Sequence, residues 1–257
     1  MANHLWNQTL ELLQDTSLKY LSTFEQIISK LEIISCIFCN FVATETNDSY
    51  LSSQSDFIDL VFQWLSVDAF EKQGKLRLFE NSIFILLHLS YVLILTERNS
   101  IGLKSLIKHL TIYQDPTLIN QILEIIANLS LSELNQPVFA YAKNSNLFTQ
   151  LEDLILLNPE TQYTILLIFH NFSLFGSMRT KLQIVQQPII KKIWIQILQT
   201  RPLPAQEAKL ISQTLLHLVS EPKTKSYLKP YELLFAELME KNSNLAQDMS
   251  SLLLHLS

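Results

Sequence analysis

The chain has 257 residues, of which 48 % are apolar and 17 % charged, with a formal net charge of −5. That much apolar surface excludes a disordered chain, which lacks the burial needed to offset its ordering entropy. Only 3 glycines occur, too few for glycine-rich phosphate loops or for a β-rich fold with many tight turns. What remains is helices joined by short polar connections.

In chain order, the N-terminus from Met1 to Leu13 is polar and reads as no signal peptide. Cys36 and Cys39 lie one helical turn apart in the apolar run Ile33 to Cys39. With no further ligands nearby they read as buried core thiols, in keeping with a reducing, intracellular and cytoplasmic setting. The polar stretches Thr44 to Asp56 and Glu71 to Lys75 read as insertions. The most apolar stretch, Ile83 to Leu95, is 13 residues long and holds His88 and Ser90. It reads as an anchor helix apolar on most sides, and it falls short of the ~20 residues that span a bilayer. Asn-x-Ser/Thr triplets at Asn7, Asn47, Asn128 and Asn171 would matter only in a secreted protein.

Six segments look alike. They end at or just after Asn40, His88, Asn128, Asn171, His217 and His255, and in four of them the residue two places further on is Ser. Successive anchors are 48, 40, 43, 46 and 38 residues apart. Between anchors the pattern repeats as well. After Asn128 come a polar stretch, a short helix Pro137 to Ala142, a break at Asn144 to Asn146, a helix Leu147 to Leu157, Pro159, and the next anchor helix from near Thr161. After His88 come Arg98 to Ser100, a helix Ile101 to Leu110, and Asp115-Pro116 as N-cap and first helical residue of the next.

This period of ~40–47 residues with an "Ala-Asn-Leu-Ser" anchor resembles the armadillo repeat family, over nearly the whole chain. The resemblance implies an all-α, right-handed solenoid of five to six repeats in one domain, residues 1–257. Glycine, usual between the first two helices of the family's repeat, is present only as Gly102, so some repeats read closer to the two-helix HEAT form. The last segment, Asp248 to Ser257, reads either as an imperfect cap or as part of a longer chain.

The resemblance also implies that third helices line a concave groove in which the anchor amides meet the backbone of an extended segment. Asn128, Glu124 and Gln121 then form one polar stripe, and Asp248, Ser251 and His255 a second. Asn81, Phe84 and His88 form a third. Asn40, Asn171, Gln213 and His217 complete the set of partner-binding candidates. For Asn128 and Asn171 a second reading stays open, an amide that bonds a neighbouring element inside the stack. Import receptors of the family carry Trp four residues before the anchor, over which lysine stems stack. Here those positions are Cys36, Phe84, Glu124, Leu167, Gln213 and Ser251, so import of lysine-rich cargo is not expected.

Charge is uneven. Residues 1–176 hold 9 basic and 18 acidic residues, and residues 177–230 hold 9 basic and 2 acidic. The basic block is Arg179, Lys181, Lys191, Lys192, Arg201, Lys209, Lys223, Lys225 and Lys229. Two functions follow as expectations. One is a non-catalytic scaffold or adaptor that holds an extended or helical segment of another protein, within a larger complex. The alternative is an electrostatic adaptor that holds an acidic protein, nucleic acid or membrane surface through residues 179–229, with nucleic acid the less expected partner. No catalytic motif, metal-ligand cluster or cofactor loop is found in the sequence.

Overall fold

A computed structural model describes residues 4–5, 7–8, 21–66, 76–141, 146–186, 204–241 and 246–256. All elements among them are helical. Two compact units, Met1–Ile125 and Ile126–Ser257, divide the chain.

The first unit holds α1 (Leu21–Val42), the short α2 (Asp48–Ser52), α3 (Ser55–Leu65), α4 (Leu76–Leu89) and α5 (Ser100–Ile112). It also holds the start of α6 (Pro116–Ser130), a helix that carries the division between the units. Of the two expected insertions, Glu71 to Lys75 lies outside the described residues, and Thr44 to Asp56 is helical. It forms a 3-10 turn, α2 and the beginning of α3, because Asp48 and Leu51 are buried and give the segment an inward face. The apolar run Ile83 to Leu95 is not one helix. α4 ends at Leu89, and Leu93 and Leu95 bury themselves from the connection that follows. The connection ends in a capping box, in which the Thr96 backbone N–H donates to Asn99 Oδ1 at 2.8 Å. α5 comes very close to α3. A β-carbon on Gly102 would sit 2.5 Å from the Phe62 carbonyl oxygen, so the single glycine of this repeat is a packing requirement.

The second unit holds α7 (Gln136–Tyr141), α8 (Leu147–Leu157), α9 (Gln162–Phe175), α10 (Met178–Gln186), α11 (Ala205–Val219), α12 (Pro222–Leu228), α13 (Glu232–Lys241) and α14 (Ala246–Leu256). The order short, longer, long recurs in α7–α8–α9 and in α12–α13–α14. α9 is sealed over most of its circumference, with Ile165, Ile168, Phe169 and Phe172 all buried. Phe148 of α8 lies edge-on to Phe172 at 5.4 Å and stacks on Phe169 at 5.6 Å. Burying such a helix removes apolar area from water at about 25 cal/mol per Å², which a single repeat cannot do alone.

Polar side chains tie each helix to the one a repeat earlier. Asn99 Nδ2 donates to Asp59 Oδ1 at 2.8 Å. Lys181 Nζ meets Glu221 Oε1 at 3.1 Å. Ser212 Oγ donates to Asp248 Oδ2 at 2.5 Å, and Gln162 donates to Glu207. The end of α6 is closed by side chains as well. Asn135 Nδ2 donates to the Leu129 carbonyl and Gln136 Nε2 to that of Ser130, at 3.0 and 2.9 Å.

Candidate functional site

In the first unit, α4 and the start of α6 border an open cleft of about 400 Å³. Asn81, Phe84 and Gln121, three of the residues singled out by sequence, line it together. Cys39, Glu80, Tyr113, Asp115, Thr117 and Leu118 complete the wall. Local sequence explains the geometry. Glu80, Asn81 and Phe84 share one face of α4 by their spacing. Asp115 caps α6, its Oδ1 accepting from the Thr117 backbone N–H at 2.9 Å, and that cap fixes where Thr117, Leu118 and Gln121 begin.

Asn81 does two things at once. It lines the cleft, and its Nδ2 donates to Ser35 Oγ at 2.8 Å and to Cys36 Sγ at 3.3 Å on α1. Cys39 Sγ returns a bond to the Asn81 carbonyl at 3.6 Å. The two thiols are free and half-buried rather than core residues. Burial, with Cys36 beside it, pushes the Cys39 thiol up to about 11, so it stays protonated and weakly nucleophilic. Tyr113 is held by stacking on Phe79 at 5.1 Å. Phe84 lies against His88 at 4.2 Å, and His88 Nδ1 is 2.9 Å from the Phe84 carbonyl. Glu80 and Asp115 put two carboxylates on the wall, and among the described residues no Lys, Arg or His lines it.

The other candidates are dispersed. Asn40 is exposed on α1 and Glu124 is exposed on α6. Asn128 is half-buried and already engaged. Asn171 is 1 % exposed. Its Nδ2 donates to the Ala127 carbonyl and to Ser130 Oγ, both at 3.0 Å. That is the inward reading of the anchor amide, which ties α9 to the end of α6 and faces no groove. Gln213 and His217 are half-buried on α11. The neighbour of His217 is His170, one residue before the anchor, with ring centroids 5.4 Å apart. Burial lowers both imidazoles from their ordinary value, His170 further through His217 and His217 further through Lys181. His255 is exposed, its Nδ1 2.8 Å from the Ser251 carbonyl.

The basic block is described only in part. Lys181 is taken up by Glu221, with its side chain 12 % exposed. Lys225 is half-buried, whereas Arg179, Lys209, Lys223 and Lys229 are exposed on α10, α11 and the α12 region. Lys191, Lys192 and Arg201 lie outside the described residues.

No protein-family model matches the chain, and no curated protein matches it. Solved structures do. An engineered protein superposes with a TM-score of 0.61 at 14 % identity, over 97 % of this chain and 95 % of its own. A second engineered protein gives 0.59 at 12 % identity, over 97 % of each chain. A designed armadillo repeat protein, solved in complex with the peptide (KR)4, gives 0.58 at 13 % identity over 97 % of this chain and 98 % of its own. The fold is armadillo-like. At these identities the likeness establishes the architecture, an all-α solenoid of helical repeats, in line with the repeat period of the sequence. Among the described residues no single helix of this armadillo-like chain is long and apolar enough to cross a membrane.

Proposed function

We propose that the chain is a non-catalytic protein-interaction scaffold that takes an extended segment of a partner protein in the cleft between α4 and α6. The observation that carries this reading is the convergence of Asn81, Phe84 and Gln121 on one open cleft. The Gln121 amide offers both donor and acceptor, so it can pair with a peptide unit whatever its sequence, while Asn81, whose Nδ2 hydrogens go to α1, keeps its Oδ1 as an acceptor. Phe84 and Tyr113 supply apolar wall. Glu80 and Asp115, with no cation opposite among the described residues, favour a segment that carries a basic residue. The absence of Trp four residues before the anchors argued against lysine-rich cargo, and the two carboxylates give a separate reason for one basic side chain here. That a designed armadillo neighbour was solved with a Lys/Arg peptide is consistent with such a role.

The test is selection of a random linear peptide library on the full chain, followed by affinity measurement of the selected peptides. Binding should be one to one. Phe84→Ala and Gln121→Ala should each weaken it by about tenfold, which is ~1.4 kcal/mol, with melting temperature unchanged. Selected peptides indifferent to both substitutions would place the site elsewhere. A library that yields no binder would remove the reading.

A further inference from the structure

We propose that two copies of this chain associate through α1, the two helices antiparallel about a two-fold axis at Ile37. One face of α1 carries Ile33, Ile37 and Phe41, exposed by 63, 49 and 53 %. Spacings of four place them in one stripe, about 12 Å long at 1.5 Å per residue. The opposite face of the same helix, with Ile28, Leu31, Ser35 and Val42, is sealed, and α1 packs there on α4, where Ser35 accepts from Asn81. Single exposed apolar side chains are ordinary. Three on one helix face make a contiguous patch of the kind that marks an interaction site.

Charge selects the occupant and its direction. Lys30 is exposed just before the stripe, and Glu45 is exposed in the 3-10 turn just past its other end. Asn47 pins that turn to the helix, its Nδ2 donating to the Phe41 carbonyl at 2.9 Å. In an antiparallel pair Ile37 meets its own copy, and Ile33 meets Phe41 of the second copy. Lys30 then arrives at the second copy's Glu45 and at the negative end of its helix dipole, twice by symmetry. A parallel pair sets Lys30 against Lys30 instead. A lipid surface fits less well. Residues 21–47 hold three acidic residues and one basic residue, the reverse of what an anionic membrane attracts.

The stripe is smaller than the roughly 800 Å² per partner of a standard interface, so association is weak and reversible. None of its residues lines the cleft between α4 and α6, so the two surfaces are separate.

The test is sedimentation of the full chain from about 1 to about 300 μM, a range that brackets weak association. The wild-type chain should shift from monomer toward dimer. Ile37→Glu sets two carboxylates against each other on the axis. It should leave a monomer throughout, with an unchanged melting temperature in dilute solution. Phe41→Ala should weaken the dimer about tenfold. Lys30→Glu and Glu45→Lys should each weaken it roughly fivefold at low salt, and the double variant should recover most of that loss. Within one chain the two side chains stand at opposite ends of α1, about 22 Å apart, so recovery requires two chains. A chain that stays monomeric at the highest concentration would overturn the proposal, as would a dimer that survives Ile37→Glu or a double variant no tighter than the single ones. A monomer that binds neutral phosphatidylcholine vesicles through Ile33, Ile37 and Phe41 would overturn it in favour of lipid.

Discussion

Asn81 in the first unit and Asn171 in the second are both amides that reach back to the preceding long helix, across 46 and 44 residues. Each donates through Nδ2 to a serine hydroxyl and to one further acceptor. Their surroundings differ. Asn171 is sealed among Phe169, Phe172 and the end of α6, so its bonds are made in a dry interior. Asn81 is half-buried and borders open space shared with Glu80 and Phe84. Asn171 thus serves the interior alone, whereas Asn81 makes the same internal bonds and also borders the cleft. Exposure of the adjacent helix face sets the difference, not the residue type.

The largest effect expected from this contrast is at Asn171. Asn171→Ala leaves the Ser130 hydroxyl oxygen without its donor and the Ala127 carbonyl with only that of Ser130 Oγ, in a buried setting. It should cost about 2–3 kcal/mol and lower the melting temperature by roughly 5–10 °C. Peptide affinity measured well below the new midpoint should be unchanged. Lost affinity at intact stability would erase the contrast. Asn81→Ala should cost about 1 kcal/mol in a half-solvated site, and it should also weaken the selected peptides. Thermal unfolding and peptide titration on the same preparation read both quantities.

Acid should act on the second unit. Burial lowers the His170 and His217 values in the folded chain below the 6.5 of the unfolded one. The neutral rings are therefore favoured by folding. Their contribution is complete above about pH 6.5 and is lost as pH falls through the lowered folded values. Urea midpoints should fall between pH 7.5 and 5, and His170→Gln with His217→Gln should flatten that slope. A slope untouched by the pair would assign acid sensitivity to other groups. The smallest effect belongs to Glu124. With Glu124 exposed on α6, its replacement by Ala should change stability by less than about 0.5 kcal/mol, and a larger change would mean that its face is covered.

Much of the fold was legible because helix boundaries are written locally. Leu147 to Leu157 and the Asp115-Pro116 start are found where caps and prolines put them. The period of about 43 residues likewise reports a stack, since each repeat must repeat its apolar face. The facing of each helix was not legible. One residue turns an α-helix by about 100°, so Asn171 points into the stack while His170 meets His217. Which of the two faces outward depends on neighbouring helices, and no single segment encodes it. The acidic wall of the cleft was missed for the same reason. Glu80 and Asp115 are 35 residues apart, and only the packing of α4 beside α6 brings them to one surface. Residues 83–95 misled because continuous apolarity suits a buried helix and a buried connection equally.

The ties from Asn81 to Ser35, Asn99 to Asp59, Asn171 to Ala127, Lys181 to Glu221 and Ser212 to Asp248 span between 36 and 46 residues. None needs the chain to close a longer loop. The entropy of closure grows only with the logarithm of loop length, and folding speed follows the mean sequence separation of contacts relative to length. Each repeat can then dock on its predecessor as soon as both exist, so refolding should proceed as short successive steps. Added repeats of this kind would lengthen the molecule while leaving the time of each step nearly unchanged.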